Sequence, residues 1–262
     1  MSWGFGRAGG STSPQYITVE EIDFISHGNL TISNGSNTIN GKTWTAANVA
    51  NSSQFAITAN GLEITIGTAS DWYEATLTAP ILYTNISTLD ASTGAMDEYI
   101  LQADYDYTGV SSGFNGVIFG YRSDTLQGGS NESYAYVGNG ESVGSDAVRL
   151  RTSYDDSASF NGGTDGVSYN DNTLHILLGE ANLRVAGWVG PAYSAGWPSF
   201  DTWDPICSSL WVPSTSGVRG RNESFAFDTK VMLGLTQLGT TNASVIIRRL
   251  RLLKRKPPTL PA

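Results

Sequence analysis

EYILQADYDY, residues 98–107, is the stretch from which the fold can be read. Tyr99, Leu101, Ala103, Tyr105 and Tyr107 alternate with Ile100, Gln102, Asp104 and Asp106. A period of two puts one set on a buried face and the other on the opposite face, which is the pattern of a half-buried strand. The same alternation recurs on either side. Leu62, Ile64 and Ile66 enclose Glu63 and Thr65; Val148 and Leu150 alternate with Arg149 and Arg151; Val231, Leu233 and Leu235 repeat it near the end. Asn-Gly pairs punctuate the chain at 34–35, 40–41, 60–61, 115–116, 139–140 and 161–162. Both residues tolerate positive φ, so each pair predicts a hairpin turn. No amphipathic helix longer than two turns is visible, and no repeat of 20–50 residues points to a solenoid or propeller. Roughly a dozen short strands joined by Gly/Asn turns predict an all-β sandwich or barrel.

Composition agrees with that class. The 262 residues include 30 Gly, 12 Tyr, 9 Phe and 7 Trp, with only 15% charged residues. Ser, Thr, Asn and aromatics suit strands and turns rather than helices. The aromatic and β-branched content is too high for disorder. Net charge is −9, yet six of the 15 basic residues fall between Arg248 and Lys256, leaving nine against 24 acidic ones elsewhere. An acidic body argues against a phosphate-binding surface and so against a nucleic-acid partner. The single cysteine, Cys207, permits neither an internal disulfide nor a cysteine zinc site. MSWGFGRAGG at the start lacks the apolar core of a signal peptide, and no apolar run approaches a membrane span. The expectation is a chain made in the cytosol, with no membrane partner.

Three regions follow: an N-terminal arm at 1–15, a β-sandwich at 16–253, and a basic, proline-rich tail at 254–262. Trp3 and Phe5 sit in the Gly-rich arm, where they suit insertion into a neighbouring subunit. Two polar stretches interrupt the strand rhythm, at 155–172 and 190–222, and loops of that length are expected to be functional or ordered by a partner.

The chemistry-bearing residues are few. Glu21-Ile22-Asp23-Phe24 resembles the EID-x-x-E strand of laminarinase-type glycoside hydrolases, whose retaining mechanism needs two carboxyl groups about 5–5.5 Å apart. Here Ile25-Ser26-His27 follows and the third carboxylate is missing, so no catalytic residue is assigned. His27 and His175 lack a G-x-S-x-G partner, and His175 within an apolar run reads as a satisfied strand histidine. Asp155, Asp156, Asp165 and Asp171 share one loop and are the candidates for calcium, although no EF-hand spacing occurs; the alternative is solvated turn acids and no cofactor. Tyr193, Trp197, Phe200, Trp203 and Trp211, near Asp201 and Asp204, can stack on and hydrogen-bond a sugar; the competing reading has them cap the sandwich or fill a subunit interface. Arg248, Arg249, Arg251, Lys254, Arg255 and Lys256 form a basic segment, read as a contact with an acidic neighbouring subunit.

Residues 98–253 resemble a concanavalin A-like or laminin-G-like sandwich, through EYILQADYDY, GVIFGYRS with SYAYVG, AVRLRTSY, and the closing VMLGLTQLGTTNASVIIRRLRLLK. Asp23-Phe24, NTINGKTWTAAN (37–48) and ANGLEITIG (59–67) are similar to the opening of lectin-like virion proteins of tailed bacteriophages. The resemblance implies an all-β jelly-roll sandwich with extended arms. It also implies a non-enzymatic structural part of a virion, such as a capsid decoration, head fibre or tail protein assembled in the host cytoplasm. Its partners would be other virion proteins and further copies of itself, a trimer being favoured. The alternative it leaves open is a lectin-like adsorption module for host surface glycans, and a laminarinase-type hydrolase is a third reading.

Overall fold

A computed structural model describes residues 16–67, 69–79, 98–108, 113–122, 134–139, 147–154, 158–165, 172–179, 184–207, 230–239 and 242–256. The strands begin with β1 (Tyr16–Asp23), β2 (Leu30–Thr31), β3 (Gly35–Ile39), β4 (Lys42–Ala47), β5 (Ser52–Thr58) and β6 (Gly61–Ile66). They continue with β7 (Ala69–Ala79), β8 (Glu98–Thr108), β9 (Gly113–Arg122), β10 (Tyr134–Asn139), β11 (Ala147–Tyr154) and β12 (Ala158–Asp165). The set closes with β13 (Asn172–Gly179), β14 (Arg184–Gly190), β15 (Asp204–Cys207), β16 (Lys230–Gly239) and β17 (Ala243–Arg255).

These strands form two antiparallel sheets. The nine-stranded sheet runs β15-β14-β13-β8-β17-β6-β5-β2, with β1 also paired to β17. The eight-stranded sheet runs β12-β11-β10-β9-β16-β7-β4-β3. One core fills the space between them. From the first sheet come Tyr99, Leu101, Tyr105, Ile176, Val245, Ile247, Leu250 and Leu252; from the second come Trp44, Leu77, Phe119, Leu233 and Leu235. The alternation of residues 98–107 therefore lies on the predicted strand, with its odd-numbered side chains inward. The sandwich expected from the sequence is the fold observed.

Three sequence expectations need correction, the third of them at Lys254. Asn115-Gly116 and Asn161-Gly162 were expected to be turns, but both lie inside strands, pairing with Gln237-Thr236 and Arg151-Leu150 respectively. Asn-Gly permits positive φ without requiring it, and in each case ladder pairing on a neighbouring strand takes precedence. The pair at 40–41 does make the tight turn, with φ of 50° and 73° between β3 and β4. The stretch at 155–172, read as an unstructured loop, contains β12, and Asp165 is the last residue of that strand.

β17 organises the first sheet. It pairs with β6 as far as Ile247 and with β1 from Arg249 onward, along the same edge. Arg248 is the extra residue at the changeover, a bulge opposite β8, and its carbonyl accepts the amide of Phe24 at 2.9 Å. Inward residues are therefore Val245 and Ile247 before the bulge, and Leu250 and Leu252 after it. Arg248 and Arg249 both emerge on the outer face. Gly61 fits against this junction: its φ is +126°, and a Cβ there would sit 2.6 Å from the Ile247 carbonyl oxygen.

β17 also continues through Arg255. Lys254, expected in a basic tail, is instead fully buried inside the sandwich, where it donates to the Tyr99 hydroxyl at 2.5 Å. Trp3, Phe5, Trp211, Asp155, Asp156 and Asp171 lie outside the described residues. No group of three or more His, Cys, Asp or Glu that could hold a metal ion occurs among the described residues.

Candidate functional site

The outer face of the nine-stranded sheet carries polar residues in two cross-strand rows. Register places Glu21 (β1), Arg251 (β17), Gln102 (β8), His175 (β13) and Trp188 (β14) side by side. The next row holds Asp23, Arg249, Asp104, Thr173 and Gly190 in the same order. Cross-strand neighbours stand about 4.5–5.5 Å apart at Cβ, close enough for direct contact. β8, predicted to be half-buried, is thus buried on both faces: Gln102 and Asp104 are as enclosed as the core residues opposite. The cover is the segment 191–203, which leaves β14 and folds back over the sheet.

The first row forms a one-way chain of hydrogen bonds. Arg251 Nε donates to Gln102 Oε1 at 2.6 Å, which orients the amide so that Nε2 donates to His175 Nδ1 at 3.0 Å. His175 Nδ1 is therefore the acceptor, and the imidazole proton sits on Nε2, facing Thr173 Oγ1 at 2.8 Å. The Thr173 hydroxyl passes its own proton to the Pro191 carbonyl at 2.9 Å. Gln102, His175 and Thr173 thereby each have a partner, and the chain ends by fastening the first residue of the covering segment. Burial, with the Arg251 charge second, holds His175 well below its ordinary range, so the ring is neutral.

Ion pairs fill the second row. Arg249 Nη1 donates to Asp104 Oδ2 at 2.7 Å and Nε lies 3.8 Å from Asp23 Oδ2. Arg248, brought to the same face by the bulge, lies 3.4 Å from both Asp104 and Asp106. Burial raises the Asp104 carboxyl above its ordinary range, and Arg249 and Arg248 offset only part of that rise.

The aromatic residues of the covering segment divide into two groups. Trp203 stacks on His175, centroids 3.6 Å apart, and touches Trp188 and Phe200. Trp203 and Trp188, with Ile100, Leu253 and Tyr16, make a second, smaller apolar cluster outside the sheet. Phe200 stacks on Tyr16 at 5.0 Å and remains 46% exposed. The other group is Tyr193 and Trp197, both half-buried, in edge contact at 5.4 Å. Arg249 lies 4.2 Å from the Tyr193 ring centre and Arg251 lies 4.8 Å from that of Trp197. These are cation–π contacts. Trp197 Nε1 donates to Glu21 Oε1 at 2.9 Å, fixing the indole in its plane.

The structure therefore joins three sets of residues that the sequence presented separately: the loop aromatics, the basic segment, and Glu21 with Asp23. Gln102, His175 and Thr173 were not assigned a part in any site. Their signal was the polar side of an apolar strand, and its meaning depends on knowing which strands adjoin.

No protein-family model matches this chain, and no curated protein matches it. Solved structures do. An endo-acting O-glycanase of the human gut microbiota superposes with a TM-score of 0.52 at 9% identity, over 91% of this chain and 99% of that one. A non-specific endo-β-1,3(4)-glucanase of family GH16 gives 0.50 at 8% identity, over 93% and 95%. Winged bean acidic lectin, complexed with methyl-α-D-galactose, gives 0.50 at 12% identity, over 93% and 100%. The protein has the concanavalin A-like jelly-roll sandwich, the fold shared by lectins and by glycoside hydrolases.

Proposed function

We propose that this protein is a glycan-binding module that acts by recognition, without catalysis, through the outer face of its nine-stranded sheet. The observation that carries the reading is the pair Tyr193 and Trp197: half-exposed rings held against Arg249 and Arg251, with the exposed acceptors Glu21 and Asp23 alongside. Rings fixed before binding lose little entropy when a sugar stacks on them, and neighbouring carboxylates accept its hydroxyls. Hydrolysis fits this face less well, because its carboxylates already hold structural partners. Asp104 is buried between two arginines, Glu21 orients an indole, and Asp23 Oδ1 accepts the Ile25 amide at 3.0 Å. The sequence likeness of residues 37–48 and 59–67 to phage virion proteins suggests an adsorption role on a particle, which mass spectrometry of purified particles would test.

The test of binding is Trp197→Ala. A glycan array followed by calorimetry on the best ligand should show affinity falling at least tenfold, about 1.4 kcal/mol, with the circular dichroism spectrum and melting temperature retained. Retention of the fold is expected because Trp197 belongs to neither apolar cluster. A wild-type protein that binds no glycan at millimolar concentration overturns the proposal.

A further inference from the structure

We infer that the ligand of this face is a neutral, hydroxyl-rich glycan, and that the face discriminates against glycans carrying sulfate or carboxylate groups. This deepens the glycan-binding reading and rests on it.

An acidic sugar is usually held by a guanidinium that offers two parallel N–H donors. Among the described residues, the three guanidinium groups around the Tyr193 and Trp197 rings are all engaged within the chain. Arg248 spans Asp104 and Asp106. Arg249 gives Nη1 to Asp104, has Nε near Asp23, and lies against the Tyr193 ring. Arg251 gives Nε to Gln102 and lies against the Trp197 ring. An anion here competes with these partners for the same guanidinium groups, and turning an arginine fully toward it leaves Asp104 or Gln102 unsatisfied.

The carboxylates are arranged oppositely. Asp23 and Asp106 keep side chains 42% and 34% exposed, whereas Arg248 and Arg249 are 25% and 21% exposed. Glu21 is exposed as well. A ligand approaching the rings therefore meets acceptors before it meets cations. Hydroxyl groups donate to such acceptors, and sulfates and carboxylates are repelled by them. The long-range field acts in the same direction, since the whole chain carries −9.

The experiment compares matched pairs: a neutral oligosaccharide found on the array, and the same oligosaccharide bearing sulfate or sialic acid. Each is titrated by calorimetry in 50 mM and 500 mM NaCl. The neutral form is expected to bind at least tenfold more tightly in low salt, and its affinity to change less than twofold between the two salts. Asp23→Asn should narrow the gap at least threefold by raising affinity for the acidic form, because Arg249 then loses one competitor. Equal or tighter binding of the acidic form, or a gap unmoved by Asp23→Asn, overturns this inference while leaving glycan binding intact. If neither form of any pair binds, the glycan-binding reading itself is overturned.

Discussion

Gly190→Ala should destabilise the protein by about 3 kcal/mol, the upper end for forcing an atom into packed surroundings. Gly190 is the last residue of β14 and the outermost member of the row Asp23–Arg249–Asp104–Thr173–Gly190. A Cβ there would lie 2.5 Å from Thr173 Oγ1, 2.6 Å from His175 Nε2 and 3.1 Å from Trp203 Cδ1. The first two atoms are the ones that pass the hydrogen-bond chain to the Pro191 carbonyl, and the third belongs to the ring stacked on His175. None is the free end of a flexible side chain. Relief of the clash requires lifting the covering segment, which would break the chain and expose the apolar cluster of Ile100 and Leu253. The measurement is thermal unfolding. A loss of about 3 kcal/mol in a chain of this size lowers the melting temperature by roughly 10 °C. Gly196→Ala is the control: it lies in the same segment, and its Cβ would meet nothing within 4 Å. Equal melting temperatures for the two variants would show that the segment is not fastened through Thr173 and His175.

The reason Gly190 matters could not be read locally, and that marks how far the sequence was legible. Strands such as 98–107 were readable because burial between two sheets imposes a period of two on the side chains. Their partners were not, because register depends on residues far away in the chain; Gln102 and His175 are 73 positions apart. For the same reason Gln102 and Asp104 looked solvent-facing and proved to be covered. The Asn-Gly pairs failed where a neighbouring strand supplied ladder bonds, since local turn preference is worth less than those bonds. The bulge did leave a mark. In VIIRRLRLLK the inward apolar positions are odd-numbered up to Ile247 and even-numbered from Leu250, a slip of one that places Arg248 and Arg249 on the same side. Continuing the even phase puts Lys254 inward, so its burial was present in the pattern although the charge suggested a tail. The loop aromatics were recognisable as a group. Their division into Trp203, packed in the smaller cluster with Phe200 stacked at its edge, and Tyr193 and Trp197, set on arginines, depends on the strand neighbours.

Lys254→Met is expected to stabilise the protein at pH 7 by about 2 kcal/mol, in line with replacing a buried charge by an apolar side chain of similar volume. Lys254 is completely buried, and its amine meets the Tyr99 hydroxyl and lies 4.6 Å from that ring's centre. Burial lowers its pKa from 10.5 to about 8. Below pH 8 the amine is charged in both the folded and unfolded chain, and the full cost of burying that charge is present. Between pH 8 and about 10.5 the folded chain holds the neutral amine while the unfolded chain binds a proton. Stability therefore rises with pH across that window, by up to about 3 kcal/mol for this group. Above 10.5 the contribution is level. The methionine variant has no such proton, so its advantage over the wild type should be largest at pH 7, fall steadily from pH 8, and be gone by about pH 10.5. Urea unfolding of both proteins across that range measures it, and lysines and tyrosines away from this contact cancel in the difference. Two parallel curves would mean that Lys254 titrates alike in the folded and unfolded chain. A variant less stable than the wild type at pH 7 would mean that the contact with Tyr99 outweighs the cost of burying the charge.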